Sequence, residues 1–417
     1  MKIAFYHELP AGQGVGLRDV FTGRVPCSGG MGRIWVAAKI AQLGAEVTVF
    51  HHLTGGPVEE IVEGVRSIRL GTKAELIEHA RFLEKDDALV VNFYDGLPQL
   101  AERLSACQCR KIIWAGCNPP FEWCDLIDGL RFHRLICVSN ESREYYRLHP
   151  HWARIGYIHS SLNTALAIPL PRVPLPGSVA FLGALREEKG FHHMLAAWPL
   201  VRAAEPEATL TVFGSIRLHF PDVPVGRSGV MTPEFEQKYL DPLVGSQGDW
   251  RRLGITFAYP QTKENLLARL AQTTIGVVNP NLRGSTETYC LSAVEMQACG
   301  CPCIGGGVGG LMETIQHAVS GYHLRTRKPQ ELAHRILQVL RHPGLRSRLS
   351  AGALAHSARL ASTEREAQDW LEMIAKLNRG MSCSYEPKLV VDLARRLGVG
   401  RVKSFLKKVF LLTSQGS

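Results

Sequence analysis

The sequence predicts an α/β protein with two Rossmann-like domains, each built on a parallel sheet. Short apolar runs alternate with helical patterns through the first 160 residues and again from residue 178. Strands that alternate with helices form parallel sheets covered on both faces. Between the two alternations, residues 165–177 hold four prolines, which neither a central strand nor a helix accommodates. The length of 417 residues also favours two domains.

The elements follow in order along the chain. In the first domain we predict strands at 2–6, 46–51, 88–93, 111–115 and 134–139, and a glycine-led helix at 29–43. In the second we predict strands at 178–182, 208–213, 275–279 and 302–304, and helices at 191–204, 264–271, 291–298 and 311–317. The predicted domains are 1–168 and 178–361, joined by a linker at 169–177 and followed by a helix at 362–378 that returns to the first domain. Ligands of such sheets bind at the carboxyl ends of the strands.

Composition indicates an ordinary globular protein, with 45% hydrophobic and 21% charged residues. No segment reaches the roughly 18 apolar residues of a membrane-spanning helix, and the first apolar run is too short for a secretion signal. We therefore predict a cytoplasmic location. Eleven cysteines are irregularly spaced, and the Cys299, Cys301, Cys303 cluster fits no common zinc pattern, so reduced, buried thiols are expected rather than a metal site.

Much of the formal charge of +10 lies in the tail, residues 379–417, where eight basic residues outnumber two acidic ones and give a net +6. The rest is only mildly basic, so nucleic acid is not a predicted partner. Within 389–412, apolar residues recur at helical spacing with lysines and arginines off that face. Such a helix can lie on an anionic membrane at the inner face, or it can dock on the protein itself.

Two glutamates, Glu287 and Glu295, are separated by seven residues on either side of a predicted helix start at Leu291. Glu287 would lie in the loop at the mouth of the helix, and Glu295 would lie within it. One carboxylate can then reach a sugar hydroxyl and the other a ribose, while the free amides of the first turn meet the phosphates between them. On spacing alone, two unrelated surface glutamates remain the alternative.

Residues 275–323 resemble the donor-binding segment of retaining family-4 glycosyltransferases, which have the GT-B fold. The matching positions are Glu287, Glu295, Gly300, Pro302, Gly309, Gly310 and Glu313. Two departures are Asn279-Pro280-Asn281 in place of the usual Pro-Ser, and Met296 in place of an alanine. The resemblance implies two Rossmann-like domains whose parallel sheets face a central cleft, and a hexosyltransferase-type activity of class EC 2.4.

Residues 181–190 are similar to the family's Gly-Arg-Leu-x-x-x-Lys-Gly segment, which places Lys189 on the diphosphate lysine. Ala184 replaces the family's arginine, and Arg186, two residues on, is a candidate substitute. A positioned cation stabilises the negative charge that a leaving diphosphate gains. Gly29 and Gly30 resemble the family's Gly-Gly loop, which approaches the diphosphate.

The resemblance assigns Glu287 and Lys189 as catalytic residues. The donor-binding residues are Gly29, Gly30, Arg186, Lys189, Glu287, Thr288, Tyr289, Cys290, Leu291 and Glu295. Many relatives carry a histidine after the strand that corresponds to 111–115, but this chain does not, so no catalytic base is assigned. Asn92 and Asn118 are acceptor-side candidates.

The implied reaction moves a sugar from a nucleotide diphosphate sugar to a glycan or lipid-linked acceptor, such as a growing polysaccharide, with retention of configuration. It needs no metal or other cofactor. Two alternatives keep the fold: a non-catalytic relative that binds a sugar nucleotide, and a sugar-nucleotide epimerase. A dehydrogenase is suggested by the G-x-G-x-x-G run at 305–310, but no acidic residue ends a clear strand about twenty residues further on.

Overall fold

The structure is a computed structural model that describes residues 1–7, 15–22, 32–92, 96–162, 172–218, 220, 222–259, 261–282 and 287–382. Its contacts divide the chain into two compact units. The first comprises Met1–Ala11, Ala37–Ile158 and Ala367–Ser417, and the second comprises Gly12–Val36 and His159–Glu366. The predicted Gly29 and Gly30, residues 169–171 of the predicted linker and the 389–412 segment lie outside the described residues.

The first unit holds an eight-stranded sheet. Its strands are β1 (Lys2–His7), β2 (Glu46–His51), β3 (Glu59–Val62), β4 (Val65–Arg69), β5 (Ala88–Asn92), β6 (Arg110–Ala115), β7 (Arg134–Cys137) and β8 (Ile155–Tyr157). The order is β3-β4-β2-β1-β5-β6-β7-β8, and every neighbouring pair is parallel except β3 with β4. The strand order changes direction between β1 and β5, so the switch point of this sheet lies there. Open α/β sheets bind ligands at such a point.

The second unit holds a six-stranded, wholly parallel sheet. Its strands are β9 (Ser178–Leu182), β10 (Thr209–Phe213), β11 (Ile255–Phe257), β12 (Ile275–Val277), β13 (Cys303–Gly306) and β14 (Gly321–Leu324). The order β11-β10-β9-β12-β13-β14 is the 3-2-1-4-5-6 order of a Rossmann sheet. Its switch point therefore lies between β9 and β12.

Helices connect the strands. They are α1 (Leu17–Phe21), α2 (Gly32–Gln42), α3 (Lys73–Ala80), α4 (Leu97–Leu104), α5 (Asn140–Glu144), α6 (Phe191–Ala204), α7 (Pro233–Phe235), α8 (Asp241–Val244), α9 (Lys263–Ala271), α10 (Leu291–Ala298), α11 (Leu311–Thr314), α12 (Pro329–Arg341), α13 (Pro343–Leu360) and α14 (Thr363–Asn378). A π-helical turn at Glu236–Leu240 separates α7 from α8. The part of α14 that belongs to the first unit packs the ring of Trp370 edge-on against Phe5, with centroids 6.1 Å apart.

The prediction of two parallel α/β domains is confirmed, and several elements match to the residue, among them 46–51, 178–182, 191–204 and 291–298. The predicted helix at 311–317 was wrong at its end: it stops at Thr314, because Ile315 adopts an extended backbone. The antiparallel hairpin β3–β4 and the short strands β8, β11 and β14 were not predicted. They have three to five residues each, too few to show a clear period.

The nine described cysteines are all free thiols. Among the residues the structure describes, no group of three or more histidine, cysteine, aspartate or glutamate side chains could hold a metal ion. None of the described helices is both long and apolar enough to cross a bilayer.

Candidate active site

The loop after β9 carries Lys189 on a single 3-10 turn, Glu187–Lys189. Gly190 ends this turn with a φ of +73°, a conformation that favours glycine, and then begins α6. A methyl group at Gly190 would lie 2.9 Å from the backbone nitrogen of Asn281, so the loop after β9 lies directly against the loop after β12. These two loops leave the sheet at its switch point.

Glu187 fixes the other side of the same turn. Its Oε1 accepts hydrogen bonds from Lys238 Nζ at 2.8 Å and from the Tyr239 hydroxyl at 2.6 Å, both on the π-helical turn. These bonds, Lys238 first, hold the pKa of the Glu187 carboxyl below its usual range. The Glu187 backbone oxygen also accepts from Asn281 Nδ2 at 3.3 Å. The turn that carries Lys189 is therefore held from two directions.

Glu287 lies opposite Lys189. Lys189 Nζ is 2.8 Å from Glu287 Oε1, and the two side chains are 27% and 13% exposed. The same oxygen accepts from Asn279 Nδ2 at 3.0 Å. Asn279 has a positive φ of +28°, and such strained non-glycine residues cluster at functional sites. The Asn-Pro-Asn departure from the family pattern thus supplies a side chain that holds Glu287.

The backbone before α10 is fixed by the glycine loop after β13. Gly310 N donates to Glu287 O at 2.8 Å. A methyl group at Gly309 would lie 2.5 Å from Glu287 O, and one at Gly310 would lie 2.3 Å from Thr288 O. Only glycines allow this close approach, which accounts for the two glycines of the Gly-Gly-x-x-Glu pattern at this point.

Helix α10 begins at Leu291, as predicted, and Cys290 is its N-cap residue. Burial raises the pKa of the Cys290 thiol, so the helix mouth carries a neutral thiol. Glu295 is the fifth residue of the helix and pairs with Lys263 Nζ, the first residue of α9. Met296 packs over Gly276 of β12, where a methyl group would lie 2.1 Å from Met296 Sδ. The methionine that replaces the family's alanine therefore fits because a glycine faces it.

One pocket gathers most of the predicted residues of the second unit. It is lined by Lys189, Glu287, Tyr289, Cys290, Leu291 and Glu295, together with Asn279, Tyr259, Gln261, Lys263 and Ala184. Thr288 is not among the lining residues. Neither is Arg186, whose Nε lies 3.2 Å from Glu188 Oε2 and whose guanidinium lies over Phe220. Arg186 was a candidate to replace the family's arginine, whose position Ala184 occupies. The structure does not place the Arg186 side chain in the pocket, so it does not fill that role here.

Glu313, the glutamate of the Gly-Gly-x-x-Glu pattern, contacts His159, which in turn packs on the pocket residue Tyr289. Its Oε2 lies 2.6 Å from His159 Nε2, and its backbone oxygen contacts His356 Nε2 at 2.9 Å. The His159 ring stacks on Tyr289 with centroids 5.4 Å apart. Glu313 thus acts on the pocket wall through His159 and Tyr289.

The acceptor-side candidates lie in the first unit. Asn92 is half-buried and ends β5 at the switch point of that sheet. Asn118 follows β6, and its Oδ1 accepts a hydrogen bond from the Ser142 hydroxyl.

The sequence reasoning missed two side chains that bond to the motif glutamates: Lys263, which contacts Glu295, and Asn279, which contacts Glu287. A lysine at the start of a helix reads as a solvated side chain, and only the packing of α9 against α10 shows that it is buried. In the sequence, Asn279 stands out only as part of the Asn-Pro-Asn departure from the family pattern, which does not indicate what its side chain contacts.

Comparison with known proteins decides the family of the segment that carries this pocket. Residues 176–356 match the model of the family "Glycosyl transferases group 1". This segment belongs to the group 1 glycosyltransferases. Among curated relatives, D-inositol 3-phosphate glycosyltransferase of Frankia alni is 36% identical over 99 residues, 24% of each chain. That of Nocardioides sp. is 28% identical over 196 residues, 40% of this chain and 42% of the relative. The match spans only about a quarter of the length of the first of these relatives.

Solved structures extend the likeness to nearly the whole chain. Sucrose-phosphate synthase from Thermosynechococcus elongatus superposes with a TM-score of 0.65 at 18% identity, covering 91% of this chain and 99% of the other. Anabaena Alr3699/HepE, solved in complex with UDP and glucose, gives 0.65 at 16% identity, covering 90% and 100%. With its two parallel-sheet units, the chain has the GT-B fold.

Proposed function

We propose that this chain is a retaining glycosyltransferase that moves a sugar from a nucleotide diphosphate sugar to a glycan or lipid-linked acceptor. One observation carries the proposal. Two glutamates seven residues apart line the same pocket, one before α10 and one inside it, and the first is bonded to Lys189. The group 1 family and the UDP and glucose in the complex of Alr3699/HepE support the same donor class.

The roles follow from the position of each group along α10. Glu295, inside the helix, accepts hydrogen bonds from the ribose hydroxyls. The amides of residues 288–291 lie just before α10 and at its first residue, where the positive end of the helix favours an anion, so we place the diphosphate there. Glu287, before the helix, accepts from a hydroxyl of the transferred sugar. A donor laid along the pocket meets these groups in the order ribose, diphosphate, sugar.

Lys189 stabilises the leaving group. As the bond between the sugar C1 and the diphosphate oxygen breaks, negative charge grows on the diphosphate, and a preorganised cation lowers the barrier. We propose that Lys189 and the start of α10 meet this charge without a metal ion. Turnover in EDTA equal to turnover in Mg²⁺ is the expected result, and restoration of activity only by added metal would contradict it.

Retention places the acceptor oxygen on the face of the sugar that the diphosphate leaves. The acceptor oxygen bonds to C1, and its proton passes to the departing phosphate oxygen, so no protein base is required. Asn92 and Asn118 of the first unit are the proposed acceptor-side residues. The anomeric proton coupling of the product, read by nuclear magnetic resonance, tests retention directly.

The proposal is tested first by binding. Thermal unfolding is measured with UDP, GDP and ADP and with their sugars. A ligand at about 100-fold excess over its Kd adds about 2.7 kcal/mol to the free energy of unfolding. Glu295→Ala is expected to abolish the shift, whereas Glu234→Ala, an exposed glutamate on α7, leaves it unchanged. A Glu295→Ala variant that responds like the parent would remove the ribose assignment.

A non-catalytic relative is the second candidate, and Ala184 favours it. This residue lines the pocket where the family's second phosphate-binding cation is expected, and Arg186 turns away from it. That candidate predicts a thermal shift with a sugar nucleotide but no release of free nucleotide with any acceptor. Measurable hydrolysis or transfer of the donor, lost in Glu287→Gln, decides for the enzyme.

We further propose that residues 389–412 bring the chain to the inner face of an anionic membrane, where a lipid-linked acceptor lies. The support is the apolar spacing and the basic residues of this segment in the sequence, at about 1 kcal/mol per lysine or arginine near the surface. Co-sedimentation of the full chain with phosphatidylserine vesicles, and its loss on replacing Lys403, Lys407 and Lys408 with glutamate, tests this. Equal sedimentation of parent and variant would contradict it.

A further inference from the structure

We propose that Lys263 is a positioning residue of the donor pocket, which holds the Glu295 carboxylate ready to accept the ribose hydroxyls and so sets the preference for a ribonucleotide. This inference rests on the proposed donor-binding role of Glu295. It adds a residue that the family pattern did not single out. The pocket contains both side chains, and the structure bonds them to each other.

Lys263 is placed by the start of α9. The hydroxyl of Thr262, the N-cap residue, accepts from Asn265 N at 3.3 Å and fixes the first turn of the helix. From this first position the Lys263 side chain is directed inward and is only 8% exposed. A lysine at a helix start ordinarily extends into water, so its burial here reflects a specific partner.

The two helices meet in a fixed register. Lys263 of α9 contacts Glu295 of α10, and one turn further along both helices Leu267 O lies 3.4 Å from Cys299 Sγ. Both pairs are 32 residues apart in sequence, so α9 and α10 run side by side in the same direction. The first residues of α9 and α10 therefore lie at the same end of the helix pair, and the Lys263 ammonium lies beside the Glu295 carboxylate.

The chemistry of the pair explains what the lysine supplies. Glu295 is 13% exposed, and a carboxylate this buried is costly unless a cation compensates its charge. The Lys263 ammonium donates to Oε1, and none of the residues that the structure describes donates a hydrogen bond to Oε2. A vicinal diol offers two hydroxyl donors, which the remaining lone pairs of an ionised carboxylate can accept. Without the ammonium the carboxylate loses both its charge compensation and its orientation.

The test compares two nucleotides that differ only in the groups Glu295 would contact. Affinities are measured by calorimetry for UDP and for 2′,3′-dideoxyuridine diphosphate, or for the corresponding pair of whichever base gives the largest thermal shift. The parent is expected to prefer the ribonucleotide by tenfold or more, about the value of a hydrogen bond to a charged group. Lys263→Met is expected to weaken the ribonucleotide by about tenfold and to change the dideoxy form by less than twofold.

Further variants separate positioning from other roles. Lys263→Arg keeps the cation and should retain part of the preference, and Lys263→Gln serves if the methionine variant unfolds. The double variant Lys263→Met, Glu295→Gln should bind no more weakly than Glu295→Gln alone, since the lysine acts through the glutamate. Lys328→Met, at the exposed N-cap of α12, is the matched control and should change neither affinity.

Three results would overturn the inference: an unchanged preference in Lys263→Met, an equal loss of affinity for both nucleotides, or additive losses in the double variant. An equal loss would mean that Lys263 contacts the phosphates or merely supports the fold. If the parent chain binds no nucleoside diphosphate at all, the proposed function fails instead, and that result is distinct from all three.

Discussion

Replacing Gly310 with alanine should impair the proposed reaction, because it displaces the backbone next to Glu287. Gly310 has an ordinary helical backbone, with φ −61° and ψ −11°, so alanine adopts it without conformational strain. The added methyl group is the whole perturbation. It would lie 2.3 Å from the backbone oxygen of Thr288 and 2.8 Å from Cα of Tyr289.

The size of the displacement follows from these distances. Real side-chain Cβ atoms essentially never approach other heavy atoms closer than 3.0 Å, so the methyl group and the Thr288 oxygen must separate by at least 0.7 Å. Both contacts are backbone atoms of residues 288 and 289, and neither can rotate away. Glu287 directly precedes these residues, and its backbone oxygen accepts a hydrogen bond from Gly310 N. A shift of this backbone therefore also displaces the Glu287 carboxylate. A displacement near 1 Å can cost about 100-fold in rate.

The assay is initial-rate transfer or donor hydrolysis, together with thermal unfolding of the same preparation. We expect Gly310→Ala to lower kcat/KM by about 10-fold to 100-fold, with the loss mainly in kcat. Gly344→Ala is the matched control, because a methyl group there meets nothing within 4 Å. If Gly310→Ala turns over donor within threefold of the parent, the loop does not set the position of Glu287.

Three other predictions are more direct. Lys189→Met should lower kcat by about 100-fold or more and raise KM only modestly, since the lysine acts on charge that develops as the bond breaks; equal effects on both would refute this. Gly276→Ala should lower the free energy of unfolding in urea by about 1–3 kcal/mol through its clash with Met296, and adding Met296→Ala should recover most of the loss. Burial lowers the pKa of His51 from 6.5 to about 4, so the unfolded chain takes up a proton before the folded one. Stability should therefore fall by about 2–3 kcal/mol as pH drops from 6.5 to 4, and His51→Gln should flatten that slope in a series of thermal scans.

The parts of the fold that the sequence predicts well have a strong local period. The helix 191–204 and the strand 178–182 are long or uniformly apolar, and both match the structure exactly. The short strands β8 and β11 have three residues each and are strands only because a neighbouring strand supplies their hydrogen bonds. No local pattern reports such a partner.

The candidate site divides in the same way. Glu287, Glu295 and Lys189 follow from an ordered motif, and the structure brings all three to one pocket. The pairing of these residues does not follow from the motif. Lys263 is 32 residues from Glu295 in sequence, and only the register of two helices reveals the contact. Arg186 shows the opposite case, since its sequence position suggests a phosphate contact while its side chain turns to Glu188.

These pairings bear on how a donor would be bound. Each of the two pocket lysines is paired with one of the two pocket glutamates, Lys189 with Glu287 and Lys263 with Glu295, so these four residues carry no net charge. In the proposed binding mode, an entering diphosphate draws Lys189 away from Glu287, and the same exchange releases the Glu287 carboxylate toward a sugar hydroxyl. The diphosphate and the sugar of the donor would then be recognised together, because the diphosphate becomes the new partner of Lys189 and the sugar becomes the new partner of Glu287.

A nucleoside diphosphate without a sugar would leave Glu287 buried without its lysine, which is unfavourable for a carboxylate that is 13% exposed. The proposed chemistry therefore predicts tighter binding of the intact donor than of the free diphosphate, and a pocket that binds the two equally would show that Lys189 and Glu287 do not separate.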